Sequence, residues 1–210
     1  IEHLGHESAV AVLNNWVSYI EEKSFVVAVS VPDEVGAFRM FETLNDRGLR
    51  ASQADILKNY FFSKVNQGQL AEIQAYWNQI YGVLSDRFDD PDERMVEYLR
   101  HYWTLENGLT RQRDLATSIK KKVKNAAKSL AFLRGAKEAV ADYAAIFNPE
   151  PPKWKSYGAS TRADINTLTS IINIEQIVPL VFAVANRFGV KEARKAFRLF
   201  VVWSVRFILG

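Results

Sequence analysis

Residues 38–62 read FRMFETLNDRGLRASQADILKNYFF. Both flanks have helical spacing, and the middle, NDRGLRAS at 45–52, does not. Asn45 and Gly48 tolerate the left-handed backbone that closes helices. The helix they end starts at Asp33, a good N-cap, and lines up Val35, Phe38, Met40, Phe41 and Leu44 on its apolar side. Leu49 returns to the core and Ser52 caps a second helix. Asp55, in that helix's first turn, suits its positive N-terminus. Ile56, Leu57, Tyr60 and Phe61 face inward. A tight helix–loop–helix accounts for every residue here except Asn45 and Arg47. Packing needs neither, and both stand beside a helix N-terminus, where anions bind readily.

Upstream, residues 8–22 space Val12, Trp16, Tyr19 and Ile20 as a helix does. Residues 25–31, FVVAVSV, are short, β-branched and closed by Pro32, which reads as a strand. No second strand is legible. One strand leaves its backbone groups unpaired, so its partners are expected N-terminal to Ile1. The chain opens without Met and stops after the apolar run Val205–Leu209. Natural termini are more polar, and a fragment of a longer protein is expected.

Downstream the chain reads as helix almost throughout. Residues 69–88 and 93–105 form two helices, with the acidic turn DDPDE between them. Thr110 is expected to cap a helix reaching Asn125, and residues 126–147 follow. Residues 148–160, NPEPPKWKSYGAS, are the one clear loop, and helices at 161–172, 175–189 and 191–209 complete the chain. The expected fold is all-α in the main, a multi-helix bundle with at most one short strand at about residues 25–31. It divides into segments 1–65, 66–147 and 160–210.

The composition, 48% hydrophobic and 24% charged, is that of an ordinary globular chain. The absence of Cys excludes disulfides and thiolate metal sites and fits a reducing, cytoplasmic location. No apolar run reaches the roughly 20 residues needed to span a bilayer, so no membrane is expected. Of the five Trp, all but Trp154 are assigned to core packing.

Charge is uneven. Residues 111–137 hold Arg111, Arg113, Lys120, Lys121, Lys122, Lys124, Lys128, Arg134 and Lys137 against Asp114 alone. That segment carries +8 in a chain of net +3. On one continuous helix, Lys120 and Lys124 would stand a turn apart, and Lys121 and Lys128 two turns apart. Such pairs repel by roughly 0.2–0.5 kcal/mol each. Phosphate backbone would relieve that repulsion, and a solvated helix face is the plainer account. A weaker basic group is Arg187, Lys191, Arg194, Lys195 and Arg198. Aromatic residues do not interleave with either group, so base stacking is not indicated.

No complete catalytic centre can be read. The nucleophile-elbow, P-loop and dinucleotide glycine patterns are missing, and no catalytic residue is assigned. His3 and His6, with Glu2 and Glu7, lack the converging ligand set of a metal site, so no metal site is assigned. His101 reads as an interface or core-edge residue.

The pattern F-E-x-L-N-x-R-G-x-x-x-S-x-x-D-x-x-K-N, carried by Phe41, Glu42, Leu44, Asn45, Arg47, Gly48, Ser52, Asp55, Lys58 and Asn59, closely resembles the N-terminal domain family of GmrSD-type, modification-dependent restriction endonucleases. The likeness covers about residues 25–63 and returns more weakly at IEQIVPLVFAVANRF. Ala51 stands where the family usually has Leu. The resemblance implies a parent with a ParB-like nucleotide-hydrolysing fold, its D-G-Q-Q-R-type motif outside this chain, and in many members a following HNH-type nuclease domain. It places Asn45, Arg47 and Gly48 near the nucleotide-binding side. No cofactor is assigned to this chain, and the resemblance implies an NTP and a divalent metal for the parent.

The expected function is a helical segment of a DNA-targeting restriction or defence protein of this kind. It would supply scaffold and DNA or nucleotide contacts, the DNA contacts through Arg111, Arg113, Lys120, Lys121, Lys124 and Lys128. Its partners would be DNA and the parent's missing N-terminal and C-terminal domains, and a homo-oligomer is compatible. The alternative is a non-enzymatic, all-helical interaction module whose basic face meets an acidic protein.

Overall fold

A computed structural model describes residues 6–25, 52–150 and 152–209. Among them are nine α-helices and no strand, so the described chain is all-α. The expected strand, beyond Phe25, lies outside the described residues, as do Asn45, Arg47 and Gly48. No described helix is long and apolar enough to cross a membrane. Residues 1–32 and 33–210 form two compact units.

The first unit contains α1 (His6–Lys23). Trp16 and Tyr19 meet edge to face at 6.5 Å on it. Trp16 is nonetheless exposed, not a core residue.

In the second unit, caps written in the sequence set four helix starts. Helix α2 (Gln53–Phe62) begins at Ser52, whose Oγ accepts from the Asp55 amide at 3.1 Å and donates to Asp55 Oδ2 at 2.8 Å. Helix α3 (Gln67–Ser85) opens on a reciprocal box between Asn66 and Gln69. Asp90 caps α4 (Pro91–Asn107), with Pro91 in the first turn, and Gly108 at φ 80° ends it.

The expected Thr110-capped helix to Asn125 is not formed. Thr110 Oγ lies 3.4 Å from the Gly108 carbonyl, and a 3₁₀ turn (Gln112–Asp114) leads into a short α5 (Leu115–Lys122). Asn125 is extended, and its Oδ1 accepts from the Lys128 amide at 2.9 Å to start α6 (Ala126–Ile146). A strong Asx cap therefore wins over continuing one helix through the lysines.

The Pro-rich stretch is not loop throughout. Residues Pro152–Tyr157 form a 3₁₀ turn that plants Trp154 in the core, fully buried. Its Nε1 donates to the Ala145 carbonyl at 2.7 Å, and its ring meets Phe197 at 5.9 Å. Lys153 Nζ donates to Asp142 Oδ1 at 2.5 Å, and Asn186 Nδ2 donates to Asp142 Oδ2 at 3.1 Å. The assignment of the tryptophans is thus corrected: Trp154, Trp77 and Trp103 are core, while Trp203 is 54% exposed. Gly158, at φ 80°, then admits α7 (Ala159–Asn166). A π turn (Thr167–Ile171), a 3₁₀ turn (Glu175–Ile177), α8 (Val178–Arg187) and α9 (Val190–Leu209) complete the chain.

Helix α6 is the hub, packing on α3, α8, α4 and α2 and on the Trp154 turn. Its buried face is largely small: Ala136, Ala139, Ala144 and Ala145, with Leu133, Val140, Tyr143 and Ile146. Small residues let α4 approach closely, and the Tyr98 hydroxyl donates to the Ala136 carbonyl. A Cβ on Gly135 would collide with the Tyr102 hydroxyl. Gly135→Ala alone is expected to destabilise by about 1–2 kcal/mol through overpacking. In a Tyr102→Phe background the same change is expected to be neutral, or to stabilise by up to about 1 kcal/mol through helix propensity. Urea denaturation of the four proteins checks it, and an equal effect in both backgrounds would remove the clash from the account.

Candidate functional site

The basic residues gather where α5 gives way to α6. Ile119 and Val123 are buried, which turns Lys121, Lys122 and Lys124 outward. The connection is held from the opposite side by the helix that ends the N-x-R-G motif. The Tyr60 hydroxyl, on α2, donates to the Val123 carbonyl at 2.6 Å and lies 3.2 Å from the Lys120 carbonyl. Lys120 lies in the last turn of α5 and Val123 is its C-cap, where intrahelical donors run out. Tyr60 therefore satisfies backbone groups and fixes the turn in one step.

Cations collect around this anchor. Lys64 Nζ and Lys120 Nζ lie 4.7 and 5.3 Å from the Tyr60 ring centroid, within cation–π reach. Lys122 Nζ donates to Asn107 Oδ1 at 2.6 Å and lies 5.6 Å from the Trp103 ring. Lys128 Nζ is 3.4 Å from the Lys122 carbonyl. No ion pair among the described residues involves Lys121, Lys122, Lys124 or Lys128.

The helix dipole separates two kinds of lysine. Lys120, Lys121 and Lys122 sit in the last turn of α5, where cations are favoured. Lys124 precedes α6 and Lys128 lies in its first turn, where the dipole disfavours a cation. Lys128 is repaid by its reach to the Lys122 carbonyl at the end of α5, whereas local helix stability gives no reason for Lys124.

The structure brings Lys120, Lys121, Lys124 and Lys128 to this turn, on two helices and their junction and not on one continuous helix. Arg111 and Arg113 precede α5, on the far side of a helix about 12 Å long at 1.5 Å rise per residue. Both are exposed, and Arg113 meets Asp114 only loosely at 3.8 Å. Sequence reasoning missed Lys64 and treated Tyr60 as core alone. Lys64 stands four residues after Tyr60, one helical turn, which was the available signal.

The other titratable cluster is internal. His101 is 4% exposed, and burial first, then Arg100 and Arg94, lowers its pKa to about 3. It is a core residue, deeper than the expected edge position. Arg100 Nη2 lies 3.1 Å from His101 Nε2. Since a guanidinium only donates, Nε2 is the acceptor and the proton sits on Nδ1. Burial pushes the neighbouring Tyr143 hydroxyl up to about 12, against the pull of Arg94. Arg94 itself lies 4.3 Å from the Phe88 ring centroid and pairs with Glu97 at 2.8 Å.

A surface pocket of about 360 Å³ beside Arg94 is lined by Asp89, Asp90, Glu93, Glu97 and Glu175. Asp90 is committed to capping α4 and Glu97 to Arg94. Among the described residues no group of three or more His, Asp or Glu is placed to hold a metal ion.

No family model, curated protein or solved structure matches this chain.

Burial of neutral His101 ties stability to pH. Its folded pKa, about 3, lies below the unfolded value of about 6.5. The unfolded chain takes up the proton first, so this contribution is complete above about pH 6.5 and is lost as pH falls toward 3. Between pH 7 and pH 4 the native protein is expected to lose about 3 kcal/mol more than His101→Gln. Denaturant titrations at the two pH values measure this, and parallel losses would show that His101 does not titrate this way.

Proposed function

We propose that this chain is a helical segment of a GmrSD-like, DNA-targeting restriction or defence protein, supplying scaffold and phosphate contacts to DNA or nucleotide without a complete active site of its own. One observation carries the reading. Tyr60, on the helix that closes the N-x-R-G pattern, pins the turn that displays Lys121, Lys124 and Lys128. In sequence, Asn45, Arg47 and Gly48 immediately precede α2, and Tyr60 stands near its other end. One short helix thus joins the loop that the resemblance assigns to nucleotide with the turn whose charge suits phosphate.

The contact would be electrostatic and indifferent to base sequence. Lysine is a point charge without the planar fork that reads base edges. Each phosphate neutralised releases condensed counterion, so affinity falls steeply as salt rises. Lys124 contributes most, since an anion relieves its unfavourable position before the start of α6.

Fluorescence anisotropy with a labelled 20-base-pair duplex tests this. Binding at 50 mM NaCl is expected to weaken at least ten-fold by 200 mM. Lys120→Glu with Lys124→Glu is expected to weaken it at least ten-fold more and to flatten the salt slope by about two. Lys191→Glu with Lys195→Glu, on the separate basic group, is expected to leave it within about three-fold. No binding at 50 mM would sink the phosphate reading and leave the interaction module with an acidic partner. Hydrolysis of NTP or cleavage of DNA by the purified chain would overturn the absence of a complete centre.

A further inference from the structure

The loop that leaves α4 carries one large apolar side chain that the core does not take up. Gly108 ends the helix at φ 80°, and Leu109 follows it 86% exposed. Leu109 belongs neither to the core nor to the apolar residues packed against it, whereas Leu105, four residues earlier, does. The tip of a tight loop ordinarily holds Gly, Pro, Asn, Asp or Ser.

Cations stand on both sides of it. Upstream, the Asn107 side chain is a bridge: Nδ2 donates to the Trp103 carbonyl at 3.0 Å, and Oδ1 accepts from Lys122 Nζ at 2.6 Å. The start of the loop is therefore tied to the last turn of α5. Downstream stands Arg111, exposed and in no ion pair among the described residues. Two residues of chain span at most about 7 Å. Asn107, which holds Lys122, and Arg111 thus both lie within that reach of Leu109. The carboxylates nearest in sequence are engaged, Glu106 by Arg187 at 2.8 Å and Asp114, more loosely, by Arg113 at 3.8 Å.

We propose that Leu109 is a wedge for the base stack of DNA, inserted where stacking is already interrupted, with Lys122 and Arg111 on the flanking phosphates. The proposal rests on the phosphate reading of the basic turn and names the form of nucleic acid that this surface takes. Apolar side chains, leucine among them, enter base steps in this way in architectural proteins that bend DNA. Size decides the occupant. A protein interface or a lipid surface asks for a contiguous apolar patch, and the loop neighbours of Leu109 are Gly108, Thr110 and Arg111. A gap between two bases holds one side chain. Energy decides the form of DNA. Unstacking an intact step costs about what burying one leucine gains, so a matched duplex offers no advantage. A mismatched step is partly open beforehand, and the gain is kept. The contact stays indifferent to base sequence, since an aliphatic side chain makes no hydrogen bond to a base edge.

Fluorescence anisotropy of the full chain at 50 mM NaCl compares two labelled 20-base-pair duplexes of equal charge, one matched and one with three consecutive mismatches at its centre. The mismatched duplex is expected to bind at least five-fold tighter. Leu109→Ser is expected to bring the ratio within two-fold, with unchanged circular dichroism, since the side chain is exposed. Leu109→Met, which keeps an apolar wedge, is expected to retain the preference. 2-Aminopurine beside the mismatch is expected to brighten with the native chain and not with Leu109→Ser. Equal binding of the two duplexes, or a preference that survives Leu109→Ser, would overturn the wedge and leave the phosphate reading standing. No binding to either duplex would overturn both. Binding to phosphatidylserine vesicles that Leu109→Ser removes, with the two duplexes bound alike, would assign the loop to lipid. A concentration-dependent dimer that Leu109→Ser dissolves, again with the duplexes bound alike, would assign it to a second copy. Either outcome overturns the wedge.

Discussion

Aromatic donors reaching the backbone carbonyls of a neighbouring helix hold this protein in register. Helix carbonyls keep a second lone pair after their own ladder is made. Tyr98 uses that capacity at Ala136, and Trp154 uses it at Ala145. Thr169 does the same at Ile146, at 3.0 Å. All three acceptors lie on α6. The alanines among them let the donors come within reach, and these three buried hydroxyl and indole groups are thereby satisfied without a buried charge. Hydrophobic burial brings these helices together, but such bonds fix how far each slides and rotates along the next.

The same device serves the basic turn. Tyr60 reaches the end of α5 as Tyr98 reaches the middle of α6, and the bond is buried. A cluster of lysines resists being concentrated in one place, and here it is concentrated by an apolar anchor, Val123 and Ile119 below and Tyr60 behind. The ammonium groups then find neutral partners, an amide, a carbonyl and ring faces.

The helical class was legible because the 3.6-residue period is written in Leu57, Ile73, Trp77, Ile80 and Leu84, all of them buried. Caps were legible where Ser52 stood before a periodic run. The failures came where two local signals competed. Thr110 and Asn125 both offer a cap, and packing of Leu115 and Ile119 decided for a short helix closed before Asn125. The Pro-rich stretch reads as solvent-facing loop because proline denies it a long helix. A single 3₁₀ turn was enough to bury Trp154, and no periodicity announces a turn so short. Trp203 fails in the opposite sense: its row on α9 has helical spacing like a core row, and spacing alone does not say whether a partner element exists. For the candidate site, net charge was readable as a sum along the chain. The contact between Tyr60 and Val123 was not, since it joins residues 63 apart in sequence.

Asp142 gives the Pro-rich stretch a mechanical character that its composition hides. One carboxylate receives Lys153 from that stretch and Asn186 from α8 while its own backbone belongs to α6. With Trp154 seated beside it, the segment is riveted at two adjacent points. A protease would have to wait for the helices on both sides to loosen before the strip between them fitted its cleft.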